Sequence, residues 1–326
     1  MAEHRRLPRA AGALSRRSFC MAAVAAVPVL KGPAPAARGI EIGVQSFSFR
    51  DMLGQPGDII DNMIAGMQAV GLDLIELREL TILPYDLVQA SVSSPEMRAA
   101  IYGRPTAGEP TEAQKALRAK IRAWRLQTPL SHFTAIRRRF EEAGIRIQSY
   151  NFTLKEYCTE EEVERSFAVT RALGTDVMNA STTLRMAKRC VPFAEQSRVR
   201  LGLHGHTSVD DPNEFASPQS FERGLELSPL YRVNLDIGHF SAAGFDPVAF
   251  IKSLHDRVVS IHVKDRKNHN GPFTAFGVGD TPIIPVLRLI REQGWPIPAM
   301  IEYEHEGGPS VPAVRSCLAY MRAGLE

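Results

Sequence analysis

VVSIHVKD, residues 258–265, decides how the rest of the chain is read. Its first half is apolar almost without a break, as in a strand covered on both faces. Its second half turns to His262, Lys264 and Asp265. The same form recurs along the chain, at IEIGVQSF (40–47), LDLIELRE (72–79), IRIQSYNF (145–152), DVMNAST (176–182), RLGLHGH (200–206), RVNLDIGH (232–239) and AMIEYEHE (299–306). Helical stretches lie between these runs. Asp58 precedes an apolar 3.6-residue pattern, and Thr159 with Glu162 forms a T-x-x-E capping box. Gly71, Gly144 and Gly174 stand where helices should stop, and Asp246-Pro247 opens another helix. Two more are expected over 282–292 and 311–325. Eight strand–helix pairs predict an α/β chain of the (β/α)8 TIM-barrel class. A doubly wound open sheet is the alternative, but it usually has fewer strands, and no G-x-G-x-x-G follows the first run.

Two segments fall outside this rhythm. Residues 80–128 exceed what one crossover helix needs. They contain TEAQKALRAKIRAW (111–124) and read as a helical insertion between strands two and three that caps the barrel mouth. Residues 1–36 carry six basic side chains and one acidic one, a net +5 in a chain of net +3, so the body is mildly acidic at −2. That balance argues against a nucleic-acid partner. Within the head, Arg16-Arg17 precede an apolar run from Cys20 to Leu30, which is too short to span a bilayer. Ala34-Pro35-Ala36 follows as a cleavage site. SRRSF resembles a twin-arginine signal, which implies export to the periplasm or beyond, removal of residues 1–36, and no stable membrane anchor on the 37–326 domain. Such signals export proteins already folded, so a metal can be loaded before export. Cys158, Cys190 and Cys317 are too few and too scattered for a disulfide framework.

In a (β/α)8 barrel the site lies at the C-terminal strand ends. Five of the nine histidines (His204, His206, His239, His262 and His305) fall at the ends of the last four runs. Asp236, Asp265, Glu302 and Glu304 gather there too. Strand side chains alternate, so His204 and His206 share a face, as do His262 and Lys264, and Glu302 and Glu304. If those faces point inward, imidazoles and carboxylates converge near the axis. Burying such charge unpaired costs several kcal/mol per ion, roughly, and a divalent metal is the natural partner. Two imidazoles and two carboxylates suit manganese foremost, or cobalt, iron or zinc, better than magnesium. Gln45, Glu76 and Tyr150, near other strand ends, are candidate pocket-lining residues.

From residue 40 onward the chain resembles the xylose-isomerase-like barrel superfamily, sugar phosphate isomerases and epimerases. LGLHGHTS is similar to the HNH-type fifth strand of one branch, NLDIGHFSAAGFDP to its D-x-G-H sixth, SIHVKD to its H-x-K-D seventh, and FGVGDTPI with MIEYE to the run into the eighth. The resemblance implies one divalent metal with a ligand from each of the last four strands: His204, Asp236, His262 and Glu302, with Glu304 the alternative to Glu302. Two departures stand out. Epimerases of the superfamily carry glutamate at the position of His204, as ligand and base. Val278 also replaces the glutamate of a G-E-G-D segment.

These residues predict a metal-dependent isomerase or epimerase of a small sugar or polyol, unphosphorylated because no glycine-rich phosphate loop is present. Glu304 is the expected base. Lys264 is expected to stabilise the oxyanion, with a pKa that a nearby cation would lower. His239 and His206 are expected to bind hydroxyls or shuttle protons. Three rivals share the site: a lyase or hydratase of keto-glycosides, a multi-zinc DNA-repair endonuclease that the acidic body disfavours, and a non-catalytic sugar or metal binder.

Overall fold

The computed structural model describes residues 39–102, 109–305 and 308–326. The proposed signal, residues 1–36, lies outside them. Eight strands form the frame: β1 (Ile42–Gln45), β2 (Leu74–Arg78), β3 (Arg146–Thr153), β4 (Val177–Ser181), β5 (Arg200–His204), β6 (Tyr231–Asp236), β7 (Val258–Val263) and β8 (Ala299–Ile301). All neighbours pair in parallel. β1 pairs with both β2 and β8, so the sheet closes into a barrel and the open-sheet alternative is excluded. No helix among the described residues is long and apolar enough to cross a membrane.

The expected helix signals are seated as written. Asp58 Oδ1 accepts from the amides of Ile60 and Asp61 at the start of helix Ile59–Val70. Both arms of the Thr159–Glu162 box form before helix Glu160–Ala172. Gly71, Gly144 and Gly174 all have positive φ (82°, 74° and 81°), the left-handed conformation that closes a helix at least cost on glycine.

The strands are shorter than the apolar-to-polar runs that announced them. β6 ends at Asp236, whose carboxylate then caps helix Ile237–Ala242 by accepting from the His239 amide at 2.8 Å. β8 stops at Ile301, and Glu302 and Glu304 follow it as loop. Glu302 and Glu304 thus lie past the end of their strand, whereas His204, Asp236 and His262 are still paired near the ends of theirs.

Between β2 and β3 the chain builds helices Tyr85–Val92, Pro95–Tyr102, Glu112–Gln127 and Leu130–Glu142. Leu87, Val88, Leu117 and Ile121 bury against Phe47 and Leu53 of the turn after β1, forming a second apolar cluster beside the barrel core. Arg125 anchors this layer. Its guanidinium meets Glu79 at 2.7 and 2.5 Å and Glu162 at 2.7 Å, all buried. Tyr150 belongs here, not in the pocket expected for it. It is buried, and proximity to Glu79 adds to the burial that pushes its phenol well up.

Removing one partner of a buried ion pair strands the other charges. Arg125→Leu is therefore expected to lower unfolding free energy by about 3–5 kcal/mol in urea titrations. Burial alone would raise the Glu162 carboxyl, but the Thr159 amide, Arg122 and Arg125 together hold it below its usual range. Its stabilisation is complete above the unfolded glutamate pKa and is lost as pH falls through the lower folded value. The wild type should lose stability over that acid window, and Glu162→Gln should lose less.

Candidate functional site

The site is built on a polar floor inside the barrel. Glu76, on β2, is fully buried. Its Oε2 accepts from Ser149 Oγ at 2.9 Å and Asn179 Nδ2 at 2.5 Å, and its Oε1 from Asn151 Nδ2 at 2.7 Å. Ser260 Oγ links Asn179 to Asn234 at 3.1 and 2.8 Å. Gly202 makes room for this network, because a Cβ there would lie 2.0 Å from Asn179 Oδ1.

Two imidazoles stand on the floor. His204 Nδ1 meets Asn234 Oδ1 at 2.8 Å. An amide oxygen only accepts, so Nδ1 carries the proton and Nε2 keeps its lone pair. Burial and the neighbouring imidazoles push the His204 pKa well down, keeping it neutral. His262 Nε2 donates to Glu76 Oε1 at 2.8 Å, which turns Nδ1 toward Glu302. Burial would lower the His262 pKa, but the Glu76 and Glu302 carboxylates raise it to about 10.

Ligand atoms of His204, Asp236, His262 and Glu302 all lie within 4.8 Å of one another, and all four residues are buried. Glu302, rather than Glu304, completes this group. A metal fits by three observations. Asp236 Oδ2, His262 Nδ1 and Glu302 Oε2 are buried without an aligned hydrogen bond, although His262 Nδ1 lies 2.7 Å from Glu302 Oε2 and Lys264 Nζ 2.9 and 3.0 Å from the two carboxylate oxygens. Burial raises the Asp236 carboxyl, with Lys264 opposing and Glu302 adding to the rise, so this carboxylate is costly to keep charged without a further cation. Even with His262 protonated, it and Lys264 are two cations facing the four carboxylates of Glu76, Asp236, Glu302 and Glu304.

Lys264 is surrounded by carboxylates. Burial would lower its pKa, but Asp236, Glu302 and Glu304 raise it well above the usual lysine value, so it is a fixed cation. Its Nζ donates to Glu304 Oε2 at 2.6 Å. The helix after β6 packs directly on it, because Gly238 has no Cβ to strike Lys264 Cγ, 2.4 Å away. His239 Nδ1 accepts from Arg266 Nη1 at 2.7 Å, and its Nε2 lies 3.2 Å from Lys264 Nζ.

Above the group opens a cavity of about 620 Å³, lined by Gln45, His204, His206, His239, His262, Lys264, Glu302 and Glu304, among others. Gln45 also orients Glu302, with Nε2 3.4 Å from Oε1. His206 Nε2 lies 3.2 Å from Ser181 Oγ. Glu76 does not line the cavity, contrary to expectation, because it lies below, spent on His262 and the floor. Asp265 also turns away, clamping the following loop by accepting from the amides of Gly277, Gly279 and Thr281. Val278 is 59% exposed and off the cavity wall, so the departure there leaves this pocket's lining unchanged. Sequence reading missed Asn151, Lys155, Ser181, Glu214 and Arg266 in the lining. Asn151, Ser181 and Arg266 sit at or just past strand ends already flagged. Glu214 arrives from a loop with no such signal.

Partners behind a ligating histidine typically matter about 10–100-fold in metal affinity. Glu76→Gln should weaken manganese or zinc binding by that order in calorimetric titration, without unfolding the barrel. Binding must also displace the His262 proton. Wild-type affinity should therefore rise with pH toward 10, and Glu76→Gln should shift that rise downward.

Residues 109–323, well over half of the chain, match the family described as Xylose isomerase-like TIM barrel. No curated protein matches. Among solved structures, a sugar phosphate isomerase/epimerase from Parabacteroides distasonis aligns with a TM-score of 0.55 at 17% identity, covering 86% of this chain and 97% of that one. A probable 3-DHS dehydratase, AsbF, from Bacillus anthracis aligns at 0.59 and 12%, covering 86% and 99%. The IOLI protein, solved with a zinc atom, aligns at 0.57 and 12%, covering 88% and 98%. At these identities the likeness is one of fold. The family match decides the point: this chain belongs to the xylose isomerase-like TIM barrel family.

Proposed function

We propose that the protein is a metal-dependent isomerase or epimerase of a sugar or polyol, working by proton transfer at the carbon next to a carbonyl. The observation that carries this reading is the His204–Asp236–His262–Glu302 group with the Lys264–Glu304 pair beside it. The zinc in the IOLI structure and the isomerase/epimerase of the same fold support it in kind.

The four residues would hold one divalent ion, which supplies Lewis-acid polarisation of a carbonyl oxygen when bound. The other side chains divide the remaining work. Glu304 is partly exposed at the cavity wall and free of the ligand group, so it takes the proton from carbon. Glu214 is a poorer base. Burial would raise its carboxyl, but His206 and Lys155 hold it at about 2. Lys264 stays charged and donates to the oxygen on which negative charge develops. His239 and His206 bind neighbouring hydroxyls. Glu304 then returns its proton to the adjacent carbon while the hydroxyl proton passes from one oxygen to the other, which completes an isomerisation with one carbon base.

That single base also favours a second reading, elimination. The same abstraction would be followed by loss of a β-oxygen group that leaves with the proton Glu304 has just taken. The dehydratase of the same fold supports it in kind. An endonuclease reading gains no support, since the described residues hold one four-residue metal group and not a multi-zinc cluster. We further propose export by the twin-arginine route, with residues 1–36 removed.

The test is to incubate manganese-loaded protein with sugars and keto-glycosides in heavy water. Deuterium should appear next to the carbonyl, with the product separating isomerase from lyase. Glu304→Gln should slow exchange by about 10²–10⁴-fold while metal content is unchanged. A ligand that binds but never exchanges would leave only a binding protein.

A further inference from the structure

His239 meets a buried arginine that has no carboxylate among its hydrogen-bond partners. Arg266 lies just past β7, in a short hairpin that pairs Asp265–Arg266 with Phe273–Thr274. Its Nε donates to the Gly271 carbonyl at 3.1 Å. Its Nη2 donates to the same carbonyl at 2.7 Å and to Asn270 Oδ1 at 3.0 Å. Its Nη1 meets His239 Nδ1 at 2.7 Å. Burying a guanidinium is costly, and a carboxylate is the usual compensation.

The two elements that carry the Arg266–His239 contact are tied together. The Asn270 amide donates at 2.8 Å to the carbonyl of Ala242, the last residue of the helix that bears His239. The Phe273 ring centre lies 4.7 Å from the Arg266 guanidinium and 5.9 Å, edge to face, from that of the His239 imidazole. With four of its five N–H groups bonded, Arg266 is fixed against Nδ1.

Hydrogen-bond roles then decide which nitrogen of His239 holds the proton. A guanidinium only donates, so Nδ1 accepts and is bare. An imidazolium is excluded by the same contact, since its Nδ1–H would face an Arg266 N–H. The proton is therefore on Nε2. Lys264 Nζ, another donor, lies 3.2 Å from Nε2, but both nitrogens of one neutral ring cannot accept. The Arg266 contact is the shorter of the two. Lys264 has other acceptors for its protons, carboxylate oxygens of Asp236, Glu302 and Glu304 at 2.9, 3.0 and 2.6 Å. Asp236 Oδ2 lies 3.7 Å from His239 Nε2, too far for a hydrogen bond. His239 lines the cavity, so its Nε2–H is available to a ligand there.

We infer that Arg266 is a positioning residue: it fixes His239 as the Nε2–H tautomer, so that His239 gives a hydrogen bond to a substrate oxygen and takes no proton from it. Of the two roles expected for His239, hydroxyl binding and proton shuttling, only the first is left. The substrate oxygen comes from the proposed isomerase reading, on which this inference rests, whereas the tautomer is a property of the free protein.

The test locates the proton directly. The full chain, with isotope-labelled histidine, is studied metal-free and zinc-loaded by long-range proton–nitrogen correlation spectra, and His239 is assigned by its absence in His239→Gln. Nδ1 should show the shift of a bare imine nitrogen and Nε2 that of a protonated one in both forms. Arg266→Lys, still a pure donor, should keep this pattern. Arg266→Met leaves Lys264 as the one donor facing the ring, so Nδ1 should move toward the protonated shift. Zinc content checks that each variant is folded. Arg266 also lines the cavity, but the spectra are taken without substrate, so its own contact with substrate does not enter them. A wild-type Nδ1 that carries the proton overturns the inference with no variant needed, and so does an unchanged tautomer in zinc-binding Arg266→Met. Deuterium exchange of substrate is scored apart. A bare Nδ1 in a protein that exchanges no probe counts against the proposed reaction and not the positioning, and a protonated Nδ1 in a protein that exchanges does the reverse.

Discussion

One fully buried carboxylate on the barrel axis, Glu76, organises the site above it. A lone anion there would carry a desolvation cost of several kcal/mol, roughly. It is kept ionised by the His262 imidazole, Asn179, Asn151 and Ser149. The dependence runs both ways. Because Glu76 takes His262 Nε2, only Nδ1 is left to face the centre. Because Asn179 is committed to Glu76 and Ser260, Ser260 is placed to hold Asn234, which in turn fixes His204. Two imidazoles on different strands are thus oriented by one network that lies below the cavity and reaches its lining through Asn151.

The consequence above the floor is a deliberate imbalance. Asp236, Glu302 and Glu304 crowd around Lys264 and His262, and the surplus is negative, as a divalent cation requires. Lys264 is held charged by these carboxylates, and Glu304, which accepts from it at 2.6 Å, stands outside the four-residue group. The site is also bounded from outside. The helices after β2 bring Pro95, Arg98 and Ala99 to a second cavity that Glu304 also lines, and they are tied to the barrel through Arg125, Glu79 and Glu162. The Arg125–Glu79–Glu162 cluster thus fixes these helices against the barrel.

Much of this was legible in the chain. The repeating change from apolar run to polar end marks both the strands and the end of the barrel at which the histidines and carboxylates gather. His204, Asp236, His262 and Glu302 were all visible as strand-end residues. Glu76 and Tyr150 looked the same by that criterion, yet they do other work. Position along a strand gives depth only to within a residue or two, and one step down moves a side chain from the cavity to the floor. Nothing local announced Glu214 or Arg98, because they reach their cavities from loop and helix and not from strand ends.

The sequence by itself determined the periodicity, the caps and the convergence of histidines and carboxylates on one end of a barrel, because these follow from alternation and from hydrogen-bonding rules that act over a few residues. Tertiary structure alone decided that Glu302 and not Glu304 joins the group, that Lys264 is held charged, and that Glu76 and Tyr150 lie outside the cavity. Those outcomes depend on distances between side chains that are tens to hundreds of residues apart in the chain, and electrostatic energies are set by such distances and by burial, neither of which is written in local order.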